Sequence, residues 1–186
     1  MPYSIKLYNE KEHLDDLLSF TSHAQTQGIE NNASLEAIAL KPDSGMFLTY
    51  HEDEVVAMTY THDFSKYYSG AWRICCRTAT RKDWQARDIL RRPGMVASAG
   101  ISAYTIPYQV DYARERGAKI FLFTTNILGE GGTDSSAKLG RHLALMQHRD
   151  PVYRYYDTAN IYDMRQDVWK LEYRDIINVQ GKLHSF

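Results

Sequence analysis

The sequence holds only two cysteines, Cys75 and Cys76, and they are adjacent. Neighbours on an extended chain point to opposite faces, so the pair supplies neither a disulfide framework nor a CxxC zinc site. Two such residues fit a reducing, cytoplasmic setting, where they serve as small apolar side chains. No apolar run approaches the roughly 20 residues of a membrane span. Met1 to Tyr8 also lacks the basic start and long apolar stretch of a signal peptide, so no membrane partner is expected. Net charge is scarce as well. Lys and Arg number 22 against 23 Asp and Glu, a balance of −1. No overall field then draws the chain to nucleic acid or acidic lipid. Among 186 residues there is no internal repeat, low-complexity segment or linker, no G-x-S-x-G and no Ser-His-Asp signal. His142 and His148 are six apart, which is not one helical face, so no metal site is expected.

What is present is ordinary globular composition, 44% hydrophobic and 24% charged, in a chain long enough to bury a core. One soluble domain spanning 1–186 is the natural parse. Ser4 to Tyr8 alternates as a strand. Asn9 can cap a helix with Glu10 and Glu12 in its first turn and His13, Leu14, Leu17 and Leu18 on its apolar stripe. Ser34 caps a short second helix, Leu35 to Leu40. Met46 to Tyr50 and Val55 to Thr61 read as a hairpin. Trp72 to Thr80 follows as a third strand, with Trp72, Ile74, Cys76, Thr78 and Thr80 on one face.

Arg81 to Gly94 is a basic loop, broken by Pro93-Gly94. Helical spacing resumes through Val96, Ile101, Tyr104, Tyr108, Val110 and Ala113 and ends at Gly117. Pro107 must start a helix or kink one there. Ile120 to Phe123 is a continuous apolar run, as in a strand covered on both faces. Asp134 or Ser135 caps a helix to about His148. Val152 to Tyr156 and Val168 to Tyr173 are the last strands, pairing across a less regular stretch, Asn160 to Asp167.

This order, strand, two helices, three-strand meander, basic loop into helix, buried strand, helix, two strands, resembles the GNAT superfamily of N-acyltransferases over nearly the whole chain. The segments that carry the likeness are the meander, the Ala113-Arg114-Glu115-Arg116-Gly117 helix ending before Ile120-Phe121-Leu122-Phe123, and the last hairpin with Gln166 and Trp169. The resemblance implies an α+β fold with a mixed, mostly antiparallel central sheet flanked by helices on both faces. It implies transfer of an acetyl or other acyl group from acyl-CoA, the co-substrate, to an amine acceptor by direct attack in a ternary complex. The acceptor is not legible, and the chain leaves room for a homodimer.

The resemblance also implies where the co-substrate binds. Its pantetheine arm would lie along Thr78, Ala79 and Thr80 like an added strand. Its pyrophosphate needs converging backbone N–H groups at a glycine-led helix entry, with guanidinium nearby. Two registers offer this. Arg91 and Arg92 precede Gly94 in one, and Gly100, Ile101 and Ser102 form the other.

Amine acylation also needs a base for the amine and an acid for the leaving thiolate. The family often places a Tyr on the helix after the fifth strand. Ser135 to His148 has none, so His142 beside that position is the candidate acid, with Tyr155 on the next strand as another. Glu54 or Asp63 on the meander is the candidate base. A GNAT-fold binding module without activity is the alternative. A third reading has the arginines of 73–92 bind single-stranded nucleic acid, with Trp72 and Trp84 as stacking platforms.

Overall fold

The computed structural model describes residues 3–25, 43–81, 105–132, 134–147 and 153–172. Seven strands form one sheet: β1 (Tyr3–Leu7), β2 (Ser44–His51), β3 (Glu54–Asp63), β4 (Ala71–Thr80), β5 (Ile120–Asn126), β6 (Tyr153–Ile161) and β7 (Met164–Leu171). The described helices are α1 (Glu10–Gln25), α2 (Ile106–Glu115) and α3 (Asp134–Met146). The strand order is β1-β2-β3-β4-β5-β7-β6. β4 and β5 run parallel, and every other neighbouring pair is antiparallel.

Helices cover both faces, as alternation along β2 demonstrates. Met46, Leu48 and Tyr50 join Leu17 and Phe20 of α1, with Met58 and Ala79, in one cluster. Phe47, pointing the other way, meets Tyr112 of α2 edge-on at 5.9 Å. Trp72, Ile74, Phe121 and Trp169 pack with Val110 and Ala113 of α2 and Leu143 of α3. With both faces covered, β2 and β3 are buried along nearly their whole length. The sheet therefore has an α1 face and an α2–α3 face.

Local chemistry accounts for the helices. Asn9 caps α1 through its Oδ1, which accepts the Lys11 amide at 3.0 Å, and His13 Nδ1 accepts the Asn9 amide in return at 3.0 Å. The stripe of α1 is His13, Leu17 and Phe20, whereas Leu18 is exposed. Tyr50 donates to Asp16 at 2.6 Å and fastens α1 to β2. Pro107 falls in the first turn of α2, so it starts that helix and does not kink it. The short helix expected at Leu35 to Leu40 lies outside the described residues.

Gly140 lets α3 press against β5. A Cβ there would stand 2.5 Å from Thr125 Oγ1 and 3.1 Å from Thr125 Cβ, and that hydroxyl already accepts the Trp169 indole N–H at 2.9 Å. Gly140→Ala is expected to cost about 1–3 kcal/mol through this overpacking. Urea unfolding of the variant beside the wild type checks it, and an unchanged midpoint would remove the contact from the account.

Two expectations need correction. The last hairpin is longer and tighter than expected, with β6 and β7 in register from Tyr153↔Leu171 to Ile161↔Met164. Its turn is Tyr162-Asp163, both left-handed at φ 50° and 62°. That is the primed turn that suits a twisted ribbon, made here without glycine, so its usual sequence signal is missing. The second correction concerns β4. Its register against β3 shifts twice, between Met58 and Tyr60 and between Tyr60 and His62. Each shift admits one extra residue on β4, and Cys75 takes a left-handed φ of 52°. Cys76 consequently pairs with Tyr60 and joins Arg73 and Ala79 on the α1 face.

Candidate active site

β4 and β5 pair only through Ala71↔Ile120, Trp72↔Phe121 and Arg73↔Leu122. Beyond that rung the two parallel strands separate. Among the described residues no strand pairs with Ile74–Thr80 on the β5 side. The sheet thus opens into a wedge whose root is Arg73 and whose wall is the bulged half of β4. Thr78 is exposed there, Thr80 half-buried, and Ala79 buried against the α1 cluster.

Gln109 of α2 holds the bulge. Its side chain is fully buried. Its Oε1 accepts the Cys75 amide at 2.8 Å, and its Nε2 donates to Thr105 Oγ1 at 2.8 Å. Nothing in the helical spacing marks Gln109 as special, because a polar residue on the buried stripe reads as an interruption. Burial pushes the Cys75 thiol up to about 12, so it stays protonated near neutral pH and is no nucleophile.

On the α1 face the wedge root gathers polar groups that sequence reasoning did not assemble. Tyr60 stacks on His62 with centroids 5.4 Å apart, and His62 meets Phe64 edge-on at 5.7 Å, in a row along β3 and into the following turn. His62 lies opposite Arg73 in the register. Its Nδ1 donates to the Asp63 carbonyl at 2.7 Å, so in the neutral ring Nε2 carries the lone pair. Burial, helped by the nearby Arg73 charge, lowers its pKa to about 4. Burial also raises the Tyr60 hydroxyl above its usual value.

The candidates from sequence lie apart. Glu54 is at the start of β3, largely exposed, in an ion pair of 2.7 Å with Arg81. Asp63 is exposed and accepts the Ser65 amide at 2.6 Å. His142 lies half-buried on α3, and its Nε2 has no hydrogen-bond partner among the described residues. Tyr155 is exposed on β6, its hydroxyl 2.7 Å from Thr158 Oγ1. Arg91, Arg92, Gly94, Gly100, Ile101, Ser102 and Trp84 lie outside the described residues. Trp72 is only 4% exposed, packed under α2 against Tyr112, so it offers no stacking platform for a nucleobase. Among the described residues no cluster of metal-ligating side chains occurs, and no helix is long and apolar enough to cross a membrane.

No family model matches the chain. No curated protein matches it in sequence. Solved structures do match it in fold. The ribosomal-protein-S18-alanine N-acetyltransferase from Escherichia coli is 10% identical over 91% of this chain and 92% of its own, with a TM-score of 0.56. Ard1 from Thermoplasma volcanium is 14% identical over 92% of this chain and 98% of its own, TM-score 0.55. The GNAT domain of S. lividans PAT is 10% identical over 90% and 89%, TM-score 0.56. The chain has the fold of the GNAT N-acyltransferases.

Proposed function

We propose that the protein transfers an acyl group, acetyl being the simplest, from acyl-CoA to an amine. The observation that carries this reading is the early parting of β4 and β5 beside a bulge locked by Gln109. The strand edge at Thr78 and Ala79, running on to Thr80, suits a pantetheine arm, whose two amides would hydrogen-bond along it as an added strand does. The pyrophosphate is assigned to the stretch that leads into α2, at Arg91, Arg92 and Gly94 or at Gly100, Ile101 and Ser102.

The amine attacks the thioester carbonyl carbon, the carbonyl oxygen gains the charge, and collapse expels the CoA thiolate. Direct attack is favoured over a cysteinyl intermediate because the Cys75 thiol stays protonated. His62 is better placed than Glu54 to receive the amine, since it is neutral near pH 7 and its Nε2 is an acceptor. A neutral acceptor orients an uncharged amine and takes its proton once attack has made that nitrogen acidic. His142 is assigned to protonate the thiolate, its Nε2 having no hydrogen-bond partner among the described residues.

Isothermal titration with acetyl-CoA, with desulfo-CoA and pantetheine as controls, tests the reading. Micromolar affinity is expected, together with thiol release when an amine acceptor is supplied. Loss of affinity in Arg91→Ala and Arg92→Ala would assign the pyrophosphate to the first turn, and retention would assign it to the second. No binding at millimolar acetyl-CoA would leave the fold as a binding module.

A further inference from the structure

Arg73 stands on the last rung joining β4 to β5, with its half-buried side chain on the α1 face. Its Nη2 donates to Thr124 Oγ1 and, at 3.5 Å, to Gln166 Oε1. Both acceptors are neutral, and both are buried, at 7% and 6% exposure. Gln166 is oriented from its other side, where Nε2 donates to the Ile161 carbonyl at 3.1 Å, so its oxygen faces the guanidinium. The guanidinium leans over the Phe64 ring, 5.7 Å from its centroid. Arg73 Nε is buried and makes no hydrogen bond.

Among the described residues no carboxylate lies within ion-pairing distance of Arg73. Asp43 and Asp63 act electrostatically on the neighbouring His62, and neither forms an ion pair with Arg73. Asp63 accepts the Ser65 amide, and Asp157 accepts the Tyr68 hydroxyl at 2.8 Å. His62, opposite Arg73, is neutral near pH 7 and adds no negative charge. Withdrawing a cation from water costs several kcal/mol unless an opposite charge and hydrogen bonds offset it. Here the hydrogen-bonding frame is built and, among the described residues, no carboxylate closes an ion pair on it. A planar fork with an unmatched N–H fits a carboxylate, which can accept two parallel bonds.

We propose that Arg73 receives the carboxylate of the acyl acceptor, which makes the substrate a small aminocarboxylate such as an amino acid. The proposal rests on the transferase reading for its substrate role. Arg73 and the bulge at Cys75 are two residues apart, on the order of 7 Å along a strand. A carboxylate held at Arg73 would therefore keep an amine a few atoms away beside the thioester, next to His62 Nε2. A long peptide or a polyamine has no such anion adjacent to its reacting nitrogen.

The test uses the full chain labelled with nitrogen-15. The Nε–H resonance of Arg73, assigned by its loss in Arg73→Gln, is followed while glycine, L-alanine or L-glutamate is added, and then glycinamide, L-alaninamide or ethanolamine. The aminocarboxylates are expected to shift it and the amides and amino alcohol to leave it in place. In acyl transfer from acetyl-CoA, kcat/KM is expected to be about 10- to 100-fold higher for the acids than for their amides, the range of a charge-assisted hydrogen bond. Arg73→Gln should erase that preference, and Arg73→Lys, which keeps the charge, should retain part of it. A resonance unmoved by saturating aminocarboxylates overturns the proposal, as does equal transfer to acids and amides. If the resonance shifts but acetyl-CoA fails to bind, the transferase reading falls and the anion site stands.

Discussion

Gln109→Leu is expected to lower stability by about 3 kcal/mol, the cost of leaving a buried amide donor and a buried hydroxyl without partners, and to weaken acyl-CoA binding with it. The side chain is fully buried, and leucine, one heavy atom smaller, keeps most of its volume, so most of the effect is polar. It comes from the Cys75 amide, whose left-handed conformation turns it away from the β4 ladder toward Gln109 Oε1. A non-glycine residue with that φ carries strain of its own and persists only where its surroundings hold it. Without the amide acceptor β4 should relax toward a regular register, which would reseat Cys76 and close the wedge. Chemical denaturation and acetyl-CoA titration of one preparation check both parts. Gln109→Glu, which keeps the acceptor oxygen, should restore more binding than leucine does. Wild-type affinity in the leucine variant would detach the bulge from the site.

Stability should also fall as the pH drops from 6.5 toward 4, with His62 alone accounting for roughly 3 kcal/mol of the loss. The sign follows from the lowered folded-state pKa. Burial holds the folded ring near 4 while the unfolded ring titrates at 6.5. Between those values the unfolded chain binds the extra proton, so acid favours unfolding. Above 6.5 both states are neutral and the contribution is complete. Below 4 both are charged and no further loss accrues. His62→Phe preserves the row of rings from Tyr60 to Phe64 and removes the titration. Its unfolding free energy plotted against pH should be flatter than the wild type by that amount across this window. Parallel curves would mean that His62 is more hydrated than its 8% exposure implies.

The order of elements was legible in the sequence because each signal was local and periodic. Alternation marked β1 and β4, two strand-like runs marked the β2–β3 hairpin, a continuous apolar run marked β5, and Gly117 closed α2. Three things were not legible, each for a physical reason. The turn at Tyr162-Asp163 adopts a glycine-like conformation without glycine. The register shifts of β4 are set by tertiary contact with Gln109, and no spacing in Trp72 to Thr80 records them. The grouping of Tyr60, His62, Arg73, Thr124 and Gln166 depends on the parallel seam between β4 and β5, which joins segments about fifty residues apart. His62 carries no signal of its own in the sequence because its neighbour, Arg73, arrives through the sheet.

The outermost strand has a consequence for life at high concentration. Among the described residues β6 is the outermost strand at one edge of the sheet, where a flat ribbon would recruit strands from other chains. It is not flat. Its register breaks between Tyr155 and Asp157, its exposed side chains include Arg154, and Arg154 lies 3.9 Å from Glu172. A kinked, charged margin of this kind makes a poor template for amyloid-like growth. The same bulge that spaces the tyrosines of β6 thereby guards the chain against its own copies.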